Sequence, residues 1–357
     1  MKLEPAISSH KPVSHGGIYS ISNPGLGILD FSSNVNPLGP SPNVLKIIKN
    51  QLNTLHIYPD SNSLKLRKDL QSYTKIPSSQ IVVGNGATEI IYNFCKSFLS
   101  KKTPILIPSP TFGEYEAGAK LAGAKVIFFK TMDLKKDIDQ FISKCPSNGC
   151  IFICNPNNPT GNLLSKNYLK KIIIAANKKN TLVFLDECFI ELVPDYNESI
   201  VAFIKNFDNL FILRSLTKSY GLAGIRIGYG IGTRKMISIL NKIKIPWNVS
   251  GLAQYAASAA ISTPNYLEKT KKIIKTESNY LKKNISKLEN FYCYDSVTNF
   301  ILIKSKIKSS LLQQKLLKKK ILIRDCSNFR GLNNYYIRVA VKKRKENQRL
   351  LHALEEL

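Results

Sequence analysis

The chain has 357 residues, 43% hydrophobic and 9% aromatic, enough for a sizeable core in about two domains. Its 52 lysines and arginines outweigh 24 acidic residues, for a formal net charge of +28. The basic residues are scattered, and the denser runs Lys318 to Lys320 and Lys342 to Lys345 carry no nucleic-acid-reading motif. The charge therefore reads as a solvated surface that also helps draw in an anionic substrate, with no nucleic-acid partner expected. No stretch approaches ~20 uninterrupted apolar residues, and Met1 to His15 lack an apolar run. Neither a membrane span nor a secretory leader is expected. Seven cysteines, with no Cys-x-x-Cys pair, predict no metal site and a reduced, cytoplasmic setting.

Residues 1–30 show little apolar periodicity. His15-Gly16-Gly17 is a flexible turn whose consecutive N–H groups can form an anion nest, although an isolated histidine also reads as a surface residue. The polar stretch from Asp30 through Asn34 to Pro40 is a loop. Residues 41–56 read as a helix started by Pro42 after Ser41, and Leu64 to Tyr73 as a second one. The strand Ile81 to Val83 runs into Gly84-Asn85-Gly86-Ala87-Thr88-Glu89 and then a helix to Leu99. A strand, a glycine turn and a helix start put backbone N–H groups where an anion can sit, without matching a Walker or dinucleotide motif. Ile105 to Ile107 is a strand ending near Phe112, which either stacks on a planar ligand or belongs to the core.

The apolar strand Cys150 to Cys154 closes on Asn155-Pro156-Asn157-Asn158-Pro159-Thr160-Gly161, a specific heptapeptide with amide donors on a fixed backbone. After a helix at Tyr168 to Ala176, the strand Leu182 to Leu185 ends in Asp186. A carboxylate there needs a partner; a protonated pyridine nitrogen would supply one, and a helix cap is the alternative. The strand Leu210 to Leu213 leads to Ser215, Thr217 and Lys218, with Arg226 eight residues on. A buried lysine near cations becomes a carbonyl-trapping nucleophile, while the hydroxyls and Arg226 can hold a phosphate. That combination points to pyridoxal 5′-phosphate on a Schiff-base lysine, against a plain loop lysine. Strands alternating with helices, with polar residues after the strand ends, predict α/β architecture with a mostly parallel sheet. Residues 250–290 read as one long helix. Strands at Asn299 to Ile303, Ile321 to Ile323 and Tyr335 to Val341, with a helix at 308–319, make a smaller α+β domain. Arg324 and Arg338 sit at its strands, suited either to an anionic ligand or to surface ion pairs.

Taken together, these residues resemble the fold-type I pyridoxal-phosphate enzymes, the aspartate aminotransferase superfamily, from about Ser14 to the C-terminus. The resemblance implies residues 1–40 as an N-terminal arm and part of the small domain, 41–250 as the large cofactor-binding domain, and 251–357 as interdomain helix and small domain. It implies Lys218 as the catalytic Schiff-base lysine, Asn158 on the ring 3′ oxygen and Asp186 on the pyridine nitrogen. Gly86, Ala87, Thr88, Ser215, Thr217 and Arg226 would surround the cofactor phosphate, Phe112 would stack on the ring, and Tyr58 would serve the neighbouring subunit of a homodimer. Arg338 would bind the substrate carboxylate, with His15, Gly16, Gly17, Asn34 and Arg324 completing the substrate site. Two families within it are similar: histidinol-phosphate aminotransferases and threonine-phosphate decarboxylases of cobalamin biosynthesis. The His15-Gly16-Gly17 opening, the Asp30 to Gly39 loop, Pro246-Trp247-Asn248-Val249 and Ile323 to Phe329 look like the decarboxylase pattern. Phe189 stands where most aminotransferases have a tyrosine. The expected reaction is decarboxylation of a small phosphorylated amino acid, L-threonine O-3-phosphate, with histidinol-phosphate transamination as the alternative.

Overall fold

The computed structural model describes residues 5–22, 24, 26–194, 198–263 and 265–357. In chain order the strands are β1 (Leu29–Asp30), β2 (Ile81–Gly84), β3 (Pro104–Ser109), β4 (Lys125–Lys130), β5 (Cys150–Cys154), β6 (Leu182–Asp186), β7 (Leu210–Ser215), β8 (Gly228–Ile231), β9 (Phe291–Cys293), β10 (Phe300–Ser305), β11 (Ile321–Leu322), β12 (Arg324–Asp325) and β13 (Tyr336–Ala340).

A seven-stranded sheet in the order β2-β8-β7-β6-β5-β3-β4 forms the centre. Its strands run parallel except β8, which is antiparallel to both neighbours. The unbroken apolar runs of β5 and β7 are buried along their whole length, which is why they lack a polar alternation. Helices cover both faces. One core gathers Leu66, Ile153, Leu185, Ile212 and Ala256; another gathers Phe94, Phe152, Phe184 and Phe211. The registry brings Cys154 level with Asp186 and Asp186 level with Leu213, so the carboxyl ends of β5, β6 and β7 open on one edge.

A second, antiparallel sheet, β12-β13-β10-β9, has its own core of Leu281, Ile301, Leu316, Val339 and Leu350. The arm joins it: β1 pairs parallel with β11, and Phe31 is wholly buried in that core. Residues 250–290 form two helices, Gly251–Ile261 and Tyr266–Ile285, and not the one expected. Asn265 turns left-handed at φ 59° where the second begins, a conformation open to asparagine at little cost. The second helix spans the cores, with Ile274 packed at the aromatic one and Leu281 and Ile285 at the small-sheet one. The first expected helix stops at Asn50, and a separate 3-10 turn covers Leu52–Thr54. The strand β8 escaped the sequence reading because its Gly228-Tyr229-Gly230-Ile231 lacks a β-branched run; Gly230 is glycine because a Cβ would meet Phe211 at 2.4 Å.

Candidate active site

The strand ends of the large sheet and one face of the small sheet enclose a cavity of about 620 Å³. At its floor, β7 ends in Ser215, whose hydroxyl caps the short helix Leu216–Ser219 by accepting from Thr217 N–H at 3.2 Å. Ser215, Thr217 and Lys218 all line the cavity. The arm braces this turn: Asn36 donates from its backbone to Lys218 O at 3.0 Å and from its amide to Ser219 O at 2.6 Å. Burial, then the nearby Arg338 and Arg226 guanidiniums, lowers the Lys218 amine from 10.5 to about 8. A neutral, nucleophilic fraction is thus present near neutral pH.

Asp186 ends β6 beside it. Its Oδ2 accepts from Tyr115 Oη at 2.6 Å and its Oδ1 from Cys188 N–H at 2.8 Å. Burial raises its pKa against these donors. Among the described residues it has no cationic partner, so it suits a protonated heterocycle and does not cap a helix. Phe112 lines the cavity with its ring edge-on to Tyr115, centroids 5.6 Å apart. Ala87 and Thr88, at the start of the helix Gly86–Phe98, face the same space as Arg226. Gly86 lies behind them at φ +79°; a Cβ there would sit 2.4 Å from Arg226 Nη2. Glycine is therefore what lets this guanidinium lie against the helix start, a cradle for an anion.

The opposite wall comes from the small sheet and the arm. Arg324 and Arg338 face each other across β12 and β13, and both line the cavity. Arg338 donates to Asn158 Oδ1 and, at 3.0 Å, to Ser32 O, while its buried Nε has no partner. Burial lowers its pKa to about 10. Arg324 Nη2 donates to Ser14 O at 2.6 Å and Asn328 Oδ1 at 2.9 Å. Neither forms an ion pair among the described residues, and with 8% and 6% exposure they are not the surface pairs considered above. Asn34 is buried on this wall with its Oδ1 unpartnered. His15 and Gly16 also line the cavity, His15 Nε2 lying 2.5 Å from Glu114 Oε1.

Three of the expected residues, Gly86, Gly17 and Tyr58, lie outside this lining. The Gly17 N–H is bonded to Ser32 Oγ at 2.7 Å, so it does not join an open anion nest. Tyr58 is 79% exposed and stacks near Trp247, centroids 5.0 Å apart, on the outer surface. Conversely, Tyr115 and Glu114 escaped the sequence reading; the only signal was their place just after Phe112 in the first turn of the helix Glu114–Leu121.

An electrophilic ring with an anionic tail fits these groups: an amine, a buried carboxylate without a cation, and an anion cradle. The aminotransferase class I and II family matches residues 27–354, and the chain belongs to it; its cofactor is pyridoxal 5′-phosphate. The fold is that of aspartate aminotransferase. Among its relatives is a provisionally named threonine-phosphate decarboxylase of Caldanaerobacter subterraneus subsp. tengcongensis, 37% identical over 97% of this chain and 94% of that protein. The solved histidinol-phosphate aminotransferase of Clostridium acetobutylicum is 35% identical, with a TM-score of 0.85 over 92% of this chain and 98% of that one. The L-threonine-O-3-phosphate decarboxylase of Porphyromonas gingivalis is 27% identical, with a TM-score of 0.83 over 92% and 99%.

Proposed function

We propose that this enzyme decarboxylates L-threonine O-3-phosphate to (R)-1-amino-2-propanol phosphate and carbon dioxide, a step of cobalamin biosynthesis. The observation that carries the reading is the cross-strand pair Arg324 and Arg338. Two guanidiniums opposed on neighbouring strands repel each other, and burying them with only neutral partners adds a desolvation cost. The arrangement makes physical sense if ligand anions complete it. Threonine phosphate brings a carboxylate and a phosphate in one small molecule. Histidinol phosphate brings one anionic group, its phosphate, and the 2-oxoglutarate of that reaction brings two carboxylates but no phosphate.

Pyridoxal 5′-phosphate supplies a carbonyl for the substrate amine and a protonated ring that accepts the electron pair left on Cα. The protein supplies orientation and protons. Asp186 would keep the ring nitrogen charged, Gly86, Ala87, Thr88, Ser215 and Arg226 would hold the cofactor phosphate, and Asn158 would bond the ring oxygen. Arg338 holds the substrate carboxylate and so sets which bond of Cα is presented for cleavage. Arg324, with His15 and Asn34, holds the substrate phosphate. Cleavage of the Cα–carboxylate bond would release carbon dioxide, and Lys218 is the residue that would return a proton to Cα. Phe189 lines the cavity and packs edge-on against Phe300, offering no hydroxyl to the ring oxygen.

A homodimer accompanies this reading. Tyr58 is exposed against Trp247 and outside the lining of its own cavity, and Leu55, Ile57 and Ile245, near these two in sequence, are exposed as well, which supports a role in a neighbouring subunit's site. Seven buried, unpaired cysteines support a cytoplasmic setting. Among the described residues no helix is long and apolar enough to cross a membrane.

The second reading, histidinol-phosphate aminotransferase, draws on the 35% identity to the Clostridium acetobutylicum enzyme. One experiment separates them. Holoenzyme is incubated with threonine phosphate, following carbon dioxide and amino-alcohol phosphate, and in parallel with histidinol phosphate and 2-oxoglutarate, following glutamate. Carbon dioxide in the first arm is expected. Glutamate in the second without carbon dioxide in the first would replace our reading with the other.

A further inference from the structure

We infer that Tyr115 is a positioning residue for the cofactor: its phenol holds Asp186 as the carboxylate that the ring nitrogen requires. Tyr115 is wholly buried, and its hydroxyl reaches Asp186 Oδ2 at 2.6 Å while Cys188 N–H takes Oδ1 at 2.8 Å. One donor on each oxygen fixes the plane of the carboxylate and leaves lone pairs for the ring. A donor to the charged form favours that form, and here it opposes burial, which favours the neutral acid. Once neutral, the acid no longer offsets a positive ring. Burial, then Asp186 itself, holds the Tyr115 proton far more tightly than usual, so the phenol stays a donor.

The ring is equally constrained. It stacks on Phe152 with centroids 5.5 Å apart and 23° between planes, and meets Phe112 edge-on. The neighbouring Glu114 is tied to His15 and, at 2.6 Å, to Tyr92 Oη. The first turn of this helix is thus anchored on both sides, and Tyr115 has one position from which to donate. The inference rests on Asp186 serving the ring nitrogen, and is independent of which substrate the enzyme takes.

The test is a double-mutant cycle on pyridoxal 5′-phosphate binding, read by titrating apoenzyme without substrate. Tyr115→Phe keeps the stacked ring and removes only the donor. It is expected to raise the cofactor Kd about tenfold, the loss of one hydrogen bond to a charged group. The absorption band of bound cofactor should move in the same direction as in Asp186→Asn. In the Asp186→Asn background the same substitution should change Kd by less than about twofold, since the carboxylate it acts through is gone. An unchanged Kd for Tyr115→Phe, or an equal rise in both backgrounds, overturns the inference. An Asp186→Asn apoenzyme that binds cofactor as tightly as the native one overturns it at its root. Because binding is read without substrate, a failed decarboxylation assay is a separate result.

Discussion

Replacing Arg338 and Arg324 one at a time by methionine tests the two proposed anion sites separately. Methionine keeps an unbranched stem and removes the charge. In Arg338→Met, the carbonyl of Ser32 and Oδ1 of Asn158 lose a donor, while the repulsion with Arg324 across the strands is relieved. These terms oppose one another, so folding stability should change by no more than ~1–2 kcal/mol. Ligand binding has no such compensation. Removing one side of a buried charge pair costs about 3 kcal/mol, roughly a hundredfold. The assay is inhibition of holoenzyme by two fragments, threonine, which has the carboxylate only, and 1-amino-2-propanol phosphate, which has the phosphate only. Arg338→Met should weaken threonine about a hundredfold and leave the amino-alcohol phosphate within roughly threefold; Arg324→Met should do the reverse. If both variants weakened both fragments equally, the assignment of one anion to each arginine would be wrong, and with it the argument for a substrate with two anions.

Gly86→Ala forces a left-handed residue to carry a Cβ, which costs about 1–2 kcal/mol, and pushes Arg226 off the helix start. Apoenzyme should unfold slightly earlier, and cofactor Kd should rise on the order of tenfold or more by absorbance titration. In the apoenzyme, Lys218 titrates near 8 against 10.5 when unfolded. Between those values the native chain binds fewer protons, so stability rises with pH there, and below about 8 the full penalty remains. Because the amine opens on a solvated cavity, the penalty is roughly 1–3 kcal/mol. Denaturant unfolding of native and Lys218→Met protein from pH 7 to 11 should show the difference shrinking as pH rises. Arg214 is buried between Glu187, bonded at 2.8 Å, and Glu191 at 3.3 Å. Burial works against its charge, but Glu187, Tyr229 and Glu191 outweigh that and hold its proton more tightly than usual. Arg214→Met leaves both buried carboxylates with neutral donors only, Ser199 and the Ile200 N–H on Glu187 and Tyr73 and Ser219 on Glu191, and should cost about 3–5 kcal/mol by equilibrium unfolding, or prevent folding outright.

Local sequence carried much of the architecture. The runs Cys150 to Cys154 and Leu210 to Leu213 could be read as strands because burial on both faces demands apolar residues throughout. Lys218, Asp186 and Asn158 stood out because each follows such a strand with chemistry a core cannot leave unpartnered. Other features arise only from long-range packing. Gly228 to Ile231 is a strand because two neighbours hold it, and residues 250–290 break into two helices joined at Asn265. The Gly17 N–H is consumed by Ser32, fifteen residues away, which no local pattern encodes.

The amino-acid order alone determined the layered α/β arrangement, the family and most of the groups proposed to hold its cofactor, since strand ends and their polar successors are contiguous in the chain. What only the tertiary structure decided is which distant residues meet: Tyr115 with Asp186 across 71 positions, and Arg338 with Asn158 across 180. The pairing of Arg324 with Arg338 likewise depends on two strands lying side by side, because only their register puts two buried cations on one wall.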